Sequence, residues 1–377
     1  MRPRTTAAST AARRYRPPKV TSGPRFALDP RRGIRLGPVA LTLRPRAFLA
    51  GTVTVAVLLV LCGVSVFTGS FDVPADRVLA TLAGNGESVE RLVVLDHRLA
   101  RVLAAVLVGA ALGCAGALTQ SVTRNPIASP DLLGVTGGAS FFAVLLVTQP
   151  AIASRTGEHA AAELLAPMAV LGGLATTALI LALSWRGGFD GLRLILVGLS
   201  INSLALSGVS WLLTRAELEQ AQVATRWLTG SLNGVRLPDV TLMTPVVLCG
   251  FLACAVLARD VAALRLGREV APTLGTAPGR TEALALFVAV VLVSGATAVA
   301  GPIAFVAFVA PQAAMRVFRT PGPPPLAAGL LGALLVLAAD MTAQRLPAEL
   351  PVGVPTAILG APYLLYLLNQ HRRRTSV

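Results

Sequence analysis

The sequence predicts an all-α polytopic membrane protein with about ten transmembrane helices and an inverted internal repeat. Three observations predict it. Apolar runs near the roughly 20 residues that a bilayer-spanning helix needs recur along the chain. Basic residues sort to one side of those runs, and a segment near residue 106 recurs near residue 291.

Spans are expected at 47–69, 102–121, 132–149, 164–185, 193–213, 238–258, 282–302, 303–318, 325–343 and 352–369. With both termini cytoplasmic, the inner tails, loops and span ends hold 24 of the 33 Lys and Arg residues and the outer side holds 9. Acidic residues run the other way, with 11 outside, 6 inside and Asp340 within a span. Enrichment of Arg and Lys on the cytoplasmic side is what orients multi-pass proteins.

Residues 1–46 carry twelve of the basic residues and no apolar period, and are expected to form a disordered basic cytoplasmic tail. A cleaved signal peptide is not expected, because the apolar run from Phe48 is of full membrane length. The transmembrane domain is then 47–370, followed by a short cytoplasmic tail, 371–377. A net charge of +15 invites comparison with nucleic-acid binders. Only Tyr15 and Phe26 interleave aromatic rings with the charges of the tail, and most other basic residues flank spans. Membrane topology and anionic headgroups account for the charge, so no nucleic-acid partner is expected.

Between the first two spans, Val73-Pro74-Ala75-Asp76 begins a short surface helix with Pro near its first turn. After the second span, Pro126 and Pro130 stop one helix and start the next. The outer stretch 214–237 contains Trp227, a residue suited to a membrane interface. Cys62, Cys114, Cys249 and Cys254 fall inside spans and read as small apolar packing residues. With His97, His159 and His371 scattered, neither a disulfide nor a metal site is expected. The repeat pairs Val106–Gly116 with Val291–Gly301 at an offset of 185, which also carries Pro126 onto Pro311. Five spans apart, the two copies cross in opposite directions, as inverted-topology transporter repeats do.

Lys19 is the only lysine. A P-loop needs Lys to reach the outer phosphates, so the chain has no Walker-type ATPase site and ATP would be used by a partner subunit. No catalytic nucleophile with a base is found. Asp340 admits a structural reading and an ion-coupling one. The fifth span places Ser200, Ser203, Ser207, Ser210 and Thr214 along one face, with Asn202 beside it. That stripe either lines a conduit for a polar ligand or packs helices closely. In the inner loop 259–281, Arg268-Glu269-Val270-Ala271-Pro272-Thr273-Leu274-Gly275 suits either docking to a soluble partner or an ordinary solvated loop.

Several further motifs share one order along the chain: Arg98-Leu99-Ala100-Arg101, Arg124-Asn125-Pro126, Pro130-Asp131-Leu132-Leu133-Gly134-Val135, and Trp227-Leu228-Thr229-Gly230-Ser231-Leu232. Then come Glu269-x-Ala271-x-x-Leu274-Gly275, Ala300-Gly301-Pro302-Ile303-Ala304-Phe305-Val306, Glu349-Leu350-Pro351-Val352-Gly353 and Gly360-Ala361-Pro362. In this order they resemble the FecCD family of ABC-transporter permeases, importers of ferric siderophores, haem and cobalamin in the bacterial cell membrane. The resemblance covers about 47–370. It departs from the family at Ala100, where Pro is common, at Pro311-Gln312, where Pro-His is frequent, and by a shortening around Gln344–Arg345.

The resemblance implies a type II importer permease that works as a dimer with an identical or sister permease. It further implies separate ABC ATPase subunits and an extracytoplasmic substrate-binding lipoprotein that delivers the ligand. The Ser200 stripe would line the pathway, Arg98, Arg101 and Arg345 would receive carboxylates of the binding protein, and Arg268 to Gly275 would couple to the ATPase. The expected cargo is a ferric siderophore, with haem or cobalamin as the alternative within the family. An ion-coupled carrier is the alternative from another class.

Overall fold

The computed structural model describes residues 32–36, 39–43, 45–69, 71–185, 191–346 and 350–375. Two units form. In the first, Met1–Pro45, the strands β1 (Arg32–Leu36) and β2 (Val39–Leu43) pair antiparallel, with Arg32 opposite Leu43. A lone two-stranded ribbon is marginally stable in water. The rest of the expected basic tail lies outside the described residues.

The second unit, Arg46–Val377, is helical. Its helices are α1 (Pro45–Phe67), α2 (Ala75–Leu82), α3 (Ser88–Arg91), α4 (Ala100–Thr123), α5 (Val135–Thr148), α6 (Pro150–Ser184) and α7 (Gly191–Arg215). They continue as α8 (Leu218–Leu228), α9 (Leu237–Leu264), α10 (Pro278–Ala300), α11 (Val306–Val317), α12 (Pro325–Gln344) and α13 (Gly353–Thr375). Among the described residues seven helical stretches are long and apolar enough to cross a bilayer. The expected third and eighth spans are the shorter apolar helices α5 and α11.

α6 begins at Pro150 rather than 164 and α9 runs on to Leu264 rather than 258, and other boundaries also differ from the sequence expectation. The second span does not start at 102: α3, a π-helical stretch at Leu92–Leu99 and α4 run on as one helix, Ser88–Thr123. The third span is broken at its start, where a 3₁₀ turn (Pro130–Leu133) ends on Gly134 before α5 begins. Between α10 and α11 the chain leaves helix at Gly301 and re-enters after Phe305, whose φ of 67° is left-handed.

α4 is the centre of the unit. Its small residues let neighbouring backbones come into contact, the packing that apolar helices use when lipid offers no hydrophobic drive. Gly109 lies against Gly332 and Gly113 against Ala328, so α4 and α12 run antiparallel. Gly116 lies against Ala307 and Gln120 bonds the Phe308 carbonyl, so α4 and α11 run parallel. On α9, Phe251 shares Gly329 with Cys114 while Arg265 reaches Ser121, so α9 is also parallel to α4. α10 then returns antiparallel to α9, with Gly250 at Leu292 and Gly295 at Val246. On the other side α5 meets α6 antiparallel and α7 parallel, through Gly138 at Gly172, Gly134 at Ile180, Gly137 at Asn202 and Gly208 at Phe141.

Candidate translocation surface and docking faces

α7 leaves most of its surface outside the core, and the hydroxyl stripe lies on that open surface. Ser200, Ser203, Ser207, Ser210 and Thr214 are all exposed. Ser200 donates to the Leu196 carbonyl (2.9 Å), Ser207 to Ser203 (2.9 Å), Ser210 to Leu206 (3.1 Å) and Thr214 to Trp211 (2.7 Å). Back-bonding of this kind satisfies a hydroxyl's proton and leaves oxygen lone pairs facing outward. The face is therefore polar, uncharged and unused by packing within the chain. At its C-terminal end the Arg215 guanidinium lies over the exposed Trp211 ring, 4.9 Å from the centroid.

Four motif stretches meet at one knot. The Ser231 N–H donates to the Ala300 carbonyl (2.8 Å) and the Gly353 N–H to the Gly230 carbonyl (3.1 Å). Gly230 also presses on Pro302, and Gly360 on Phe305. The stretches around Trp227, Gly301, Gly353 and Gly360, scattered in sequence, thus clamp the ends of α8, α10, α11 and α13 together.

The arginines expected at the docking face are mostly engaged within the chain. Arg98 is buried at 9% exposure and donates to the Val66 carbonyl (3.1 Å) and to the Phe71 carbonyl. Arg101 grips the fully buried Asp340 through Nε (3.0 Å) and Nη2 (2.9 Å), a two-pronged geometry suited to a planar guanidinium. Asn233 accepts from Arg101 (3.3 Å) and Gln344 donates to Asp340 (2.7 Å). Asp340 is therefore an ion-pair partner joining α12 to α4. Arg98, Arg101, Asn233 and Gln344, with His97 and Phe71, border a cavity of about 230 Å³. Arg345 caps α12 and is exposed.

On the opposite face, the loop after α9 forms the expected small turn. Ala271–Leu274 is 3₁₀-helical and ends at Gly275, whose φ of 80° is accessible to glycine without strain. Arg268 pairs with Glu282 at the start of α10 (3.7 Å), and Glu269 is exposed. Ala271 is fully buried against Ala263 and Leu264, so its small side chain serves packing inside this chain rather than fit to a partner. The side chains offered outward are Leu266, Val270 and Leu274, at 64, 45 and 57% exposure, spaced four residues apart. Arg265 braces the loop by donating to Ser121 (3.0 Å) and to the Pro323 carbonyl, and burial pulls its pKa down.

Near the same face Asp131 accepts from Thr136 (2.8 Å) and Ser129 (3.2 Å). Burial pushes its carboxyl up, and those hydroxyls pull it part of the way back. The amide of Gln312 donates to Gln120 (2.8 Å) and to the Pro126 carbonyl (3.2 Å), which gives the departure from Pro-His a structural use. Asn233, Gln120 and Arg265 were not singled out by sequence. Each acts through a partner far along the chain, and nothing local marks it.

A helical membrane unit with an open hydroxyl face, an ion-paired clamp at one end and a braced turn at the other is consistent with a transport permease. The FecCD transport family model matches residues 57–370, and the chain belongs to that family. It is 40% identical over 312 residues to the ferric enterobactin transport system permease protein FepG of Escherichia coli (strain K12), covering 81% of this chain and 91% of the relative. It is 33% identical over 324 residues to the probable siderophore transport system permease protein YfhA of Bacillus subtilis (strain 168), covering 85% of this chain and 92% of the relative. A solved metal-chelate type ABC transporter in an inward-facing conformation superposes with a TM-score of 0.73 at 25% identity, covering 86% of this chain and 99% of that one.

Proposed function

We propose that the chain is one of two permease subunits of an ATP-driven importer of ferric siderophores, and that α7 lines the path between them. The observation that carries this is the exposed hydroxyl stripe on α7. Lipid gives no reason to hold five hydroxyls on one open face, whereas a polar ligand crossing the membrane does. The relatives' cargo, ferric enterobactin and other siderophores, supplies the ligand.

Ten crossings with both termini cytoplasmic fit the charge asymmetry and the helix directions. α10 runs opposite to α4 because it is antiparallel to α9, which is parallel to α4. That relation supports the inverted repeat linking Val106–Gly116 to Val291–Gly301.

ATP is hydrolysed on separate ATPase subunits. The turn from Arg268 to Gly275 docks there through Leu266, Val270 and Leu274, and Ala271 keeps the turn's shape. An extracytoplasmic binding protein meets the rim around Arg98, Arg101 and Arg345. Its carboxylates contact the exposed Arg345, while Arg98 and Arg101 hold the rim together.

The test is reconstitution of the permease in vesicles with its ATPase and binding protein, followed by uptake of radioactive iron as a siderophore complex. Uptake should require ATP. Uptake driven by an ion gradient without the ATPase would overturn the reading in favour of an ion-coupled carrier.

A further inference from the structure

Resting on the importer reading, we infer that α10 is the rod that carries movement of the inner turn across the membrane, and that Glu282 is its inner attachment. Glu282 lies about one turn into α10 and is buried. Its Oε2 lies 3.7 Å from Arg268 Nη2 and, among the described residues, accepts no hydrogen bond. Arg124, at the C-cap of α4, is a second cation acting on the same carboxyl. The carboxylate therefore depends on its cations. A turn that moved without α10 would strand a buried charge, which costs far more than losing a surface ion pair. The turn and the start of α10 move together.

The other arginine of this loop makes a different attachment. Arg265 donates to Ser121 on α4 and to the Pro323 carbonyl ahead of α12, both neutral acceptors. Arg265 thus holds the base of the turn to the seam, whereas Arg268 joins the turn to α10.

α10 can pass a displacement on. Proline falls inside α6, α9, α11 and α13, but not inside α10 between Glu282 and Ala300. Ser294 and Gly295, a combination that can kink a helix, are boxed in by Gly173 of α6 and Val246 of α9. The stretch from Glu282 to Ala300 is about 27 Å long, close to the hydrocarbon thickness. At its far end Ala300 accepts from the Ser231 N–H (2.8 Å). A Cβ added at Gly301 would lie 2.4 Å from the Trp227 carbonyl. Trp227 belongs to α8, which starts three residues after α7 ends. The route from ATPase to path is contiguous: the turn, the Arg268–Glu282 pair, α10, the knot at Gly301, α8 and α7. Glu282 is a positioning residue on it and touches neither ATP nor cargo.

The test uses the permease reconstituted in vesicles with its ATPase and binding protein, supplied with ATP and ferric enterobactin. The quantities read are iron carried per ATP hydrolysed and the thermal midpoint. Glu282→Gln, which keeps the shape and removes the charge, should still co-purify with the ATPase and keep its midpoint, while iron carried per ATP falls about tenfold. Arg268→Gln should do the same, and the double variant should be no worse than either single one, because both break one link. Arg268→Lys should restore part of the ratio. An unchanged ratio in Glu282→Gln would overturn the proposal, as would a double variant whose losses multiply. Slower uptake that tracks a lower midpoint at an unchanged ratio would assign Glu282 to packing and overturn it as well. A wild type that needs no ATPase for uptake would overturn the importer reading itself, a result distinct from an ATP-driven wild type with an indifferent Glu282.

Discussion

α4 and α7 are transmembrane helices of similar length, 24 and 25 residues, rich in small and aliphatic side chains, yet they are used in opposite ways. Of the most apolar window of the stretch containing α4, 83% is buried inside the chain, against 17% for α7. On α4 the small residues are Gly and Ala, and they bring the backbones of α11 and α12 into contact. On α7 they are Ser and Thr on a face that nothing in the chain covers. Small residues thus carry two messages. Apolar ones mark a seam, and the hydroxylic ones lie on an open face, the surface proposed to line the path.

The sharpest way to break this contrast is at the ion pair on the seam. Asp340→Leu leaves Arg101 without its carboxylate, and Arg101→Leu leaves Asp340 buried without its guanidinium. Either should cost roughly 3–5 kcal/mol, seen as a lower thermal midpoint in detergent. The double Leu variant should recover most of the loss, because both charges go together. No recovery would mean that the pair does more than join α4 to α12.

The glycine seam itself comes next. Gly116→Val places two methyls in the Ala307 backbone and should cost about 3 kcal/mol, with a fall in monodisperse yield. A variant as stable as wild type would remove the case for backbone contact between α4 and α11.

The inner turn separates packing from docking. Leu274→Asp should weaken co-purification with the ATPase by about tenfold without changing the thermal midpoint, since the side chain is exposed. Ala271→Trp should instead lower the midpoint, since Ala271 is fully buried. If Leu274→Asp binds the ATPase normally, this turn is not the coupling surface.

The smallest effect is expected on α7. Ser200→Ala and Ser207→Ala should each change stability by less than about 0.5 kcal/mol, because the lost bonds return to the helix's own carbonyls. A large loss would assign the stripe to packing.

Much of this was legible in the sequence where the cause is local. The three-and-four spacing of Ser200 to Thr214 gives the stripe directly. Pro74 does cap the start of α2, and Gly275 does turn left-handed where the inner helical turn ends. What was not legible depends on contacts made far along the chain. Arg101 finds Asp340 across 239 residues, so an arginine that sequence assigns to docking serves first as a structural partner. Ala271 is small because of Ala263 and Leu264 beneath it, which a motif alone cannot distinguish from fit to another protein. The π-helical stretch at Leu92–Leu99 and the helix break at Gly301–Phe305 also escaped. Asp96, His97 and Arg98 interrupt the apolar run across the first, and the second falls between two runs whose hydropathy does not change.

The most direct test of α7 as the wall of the path is its accessibility to water. Ser203→Cys and Ser207→Cys would be placed in a background with the half-buried Cys62 and exposed Cys249 replaced by Ala. A charged, membrane-impermeant thiol reagent should modify both positions in the assembled importer, and the added bulk should slow uptake by about tenfold or more. If only a lipid-soluble reagent reaches them and uptake is unchanged, α7 faces the bilayer and does not line the path.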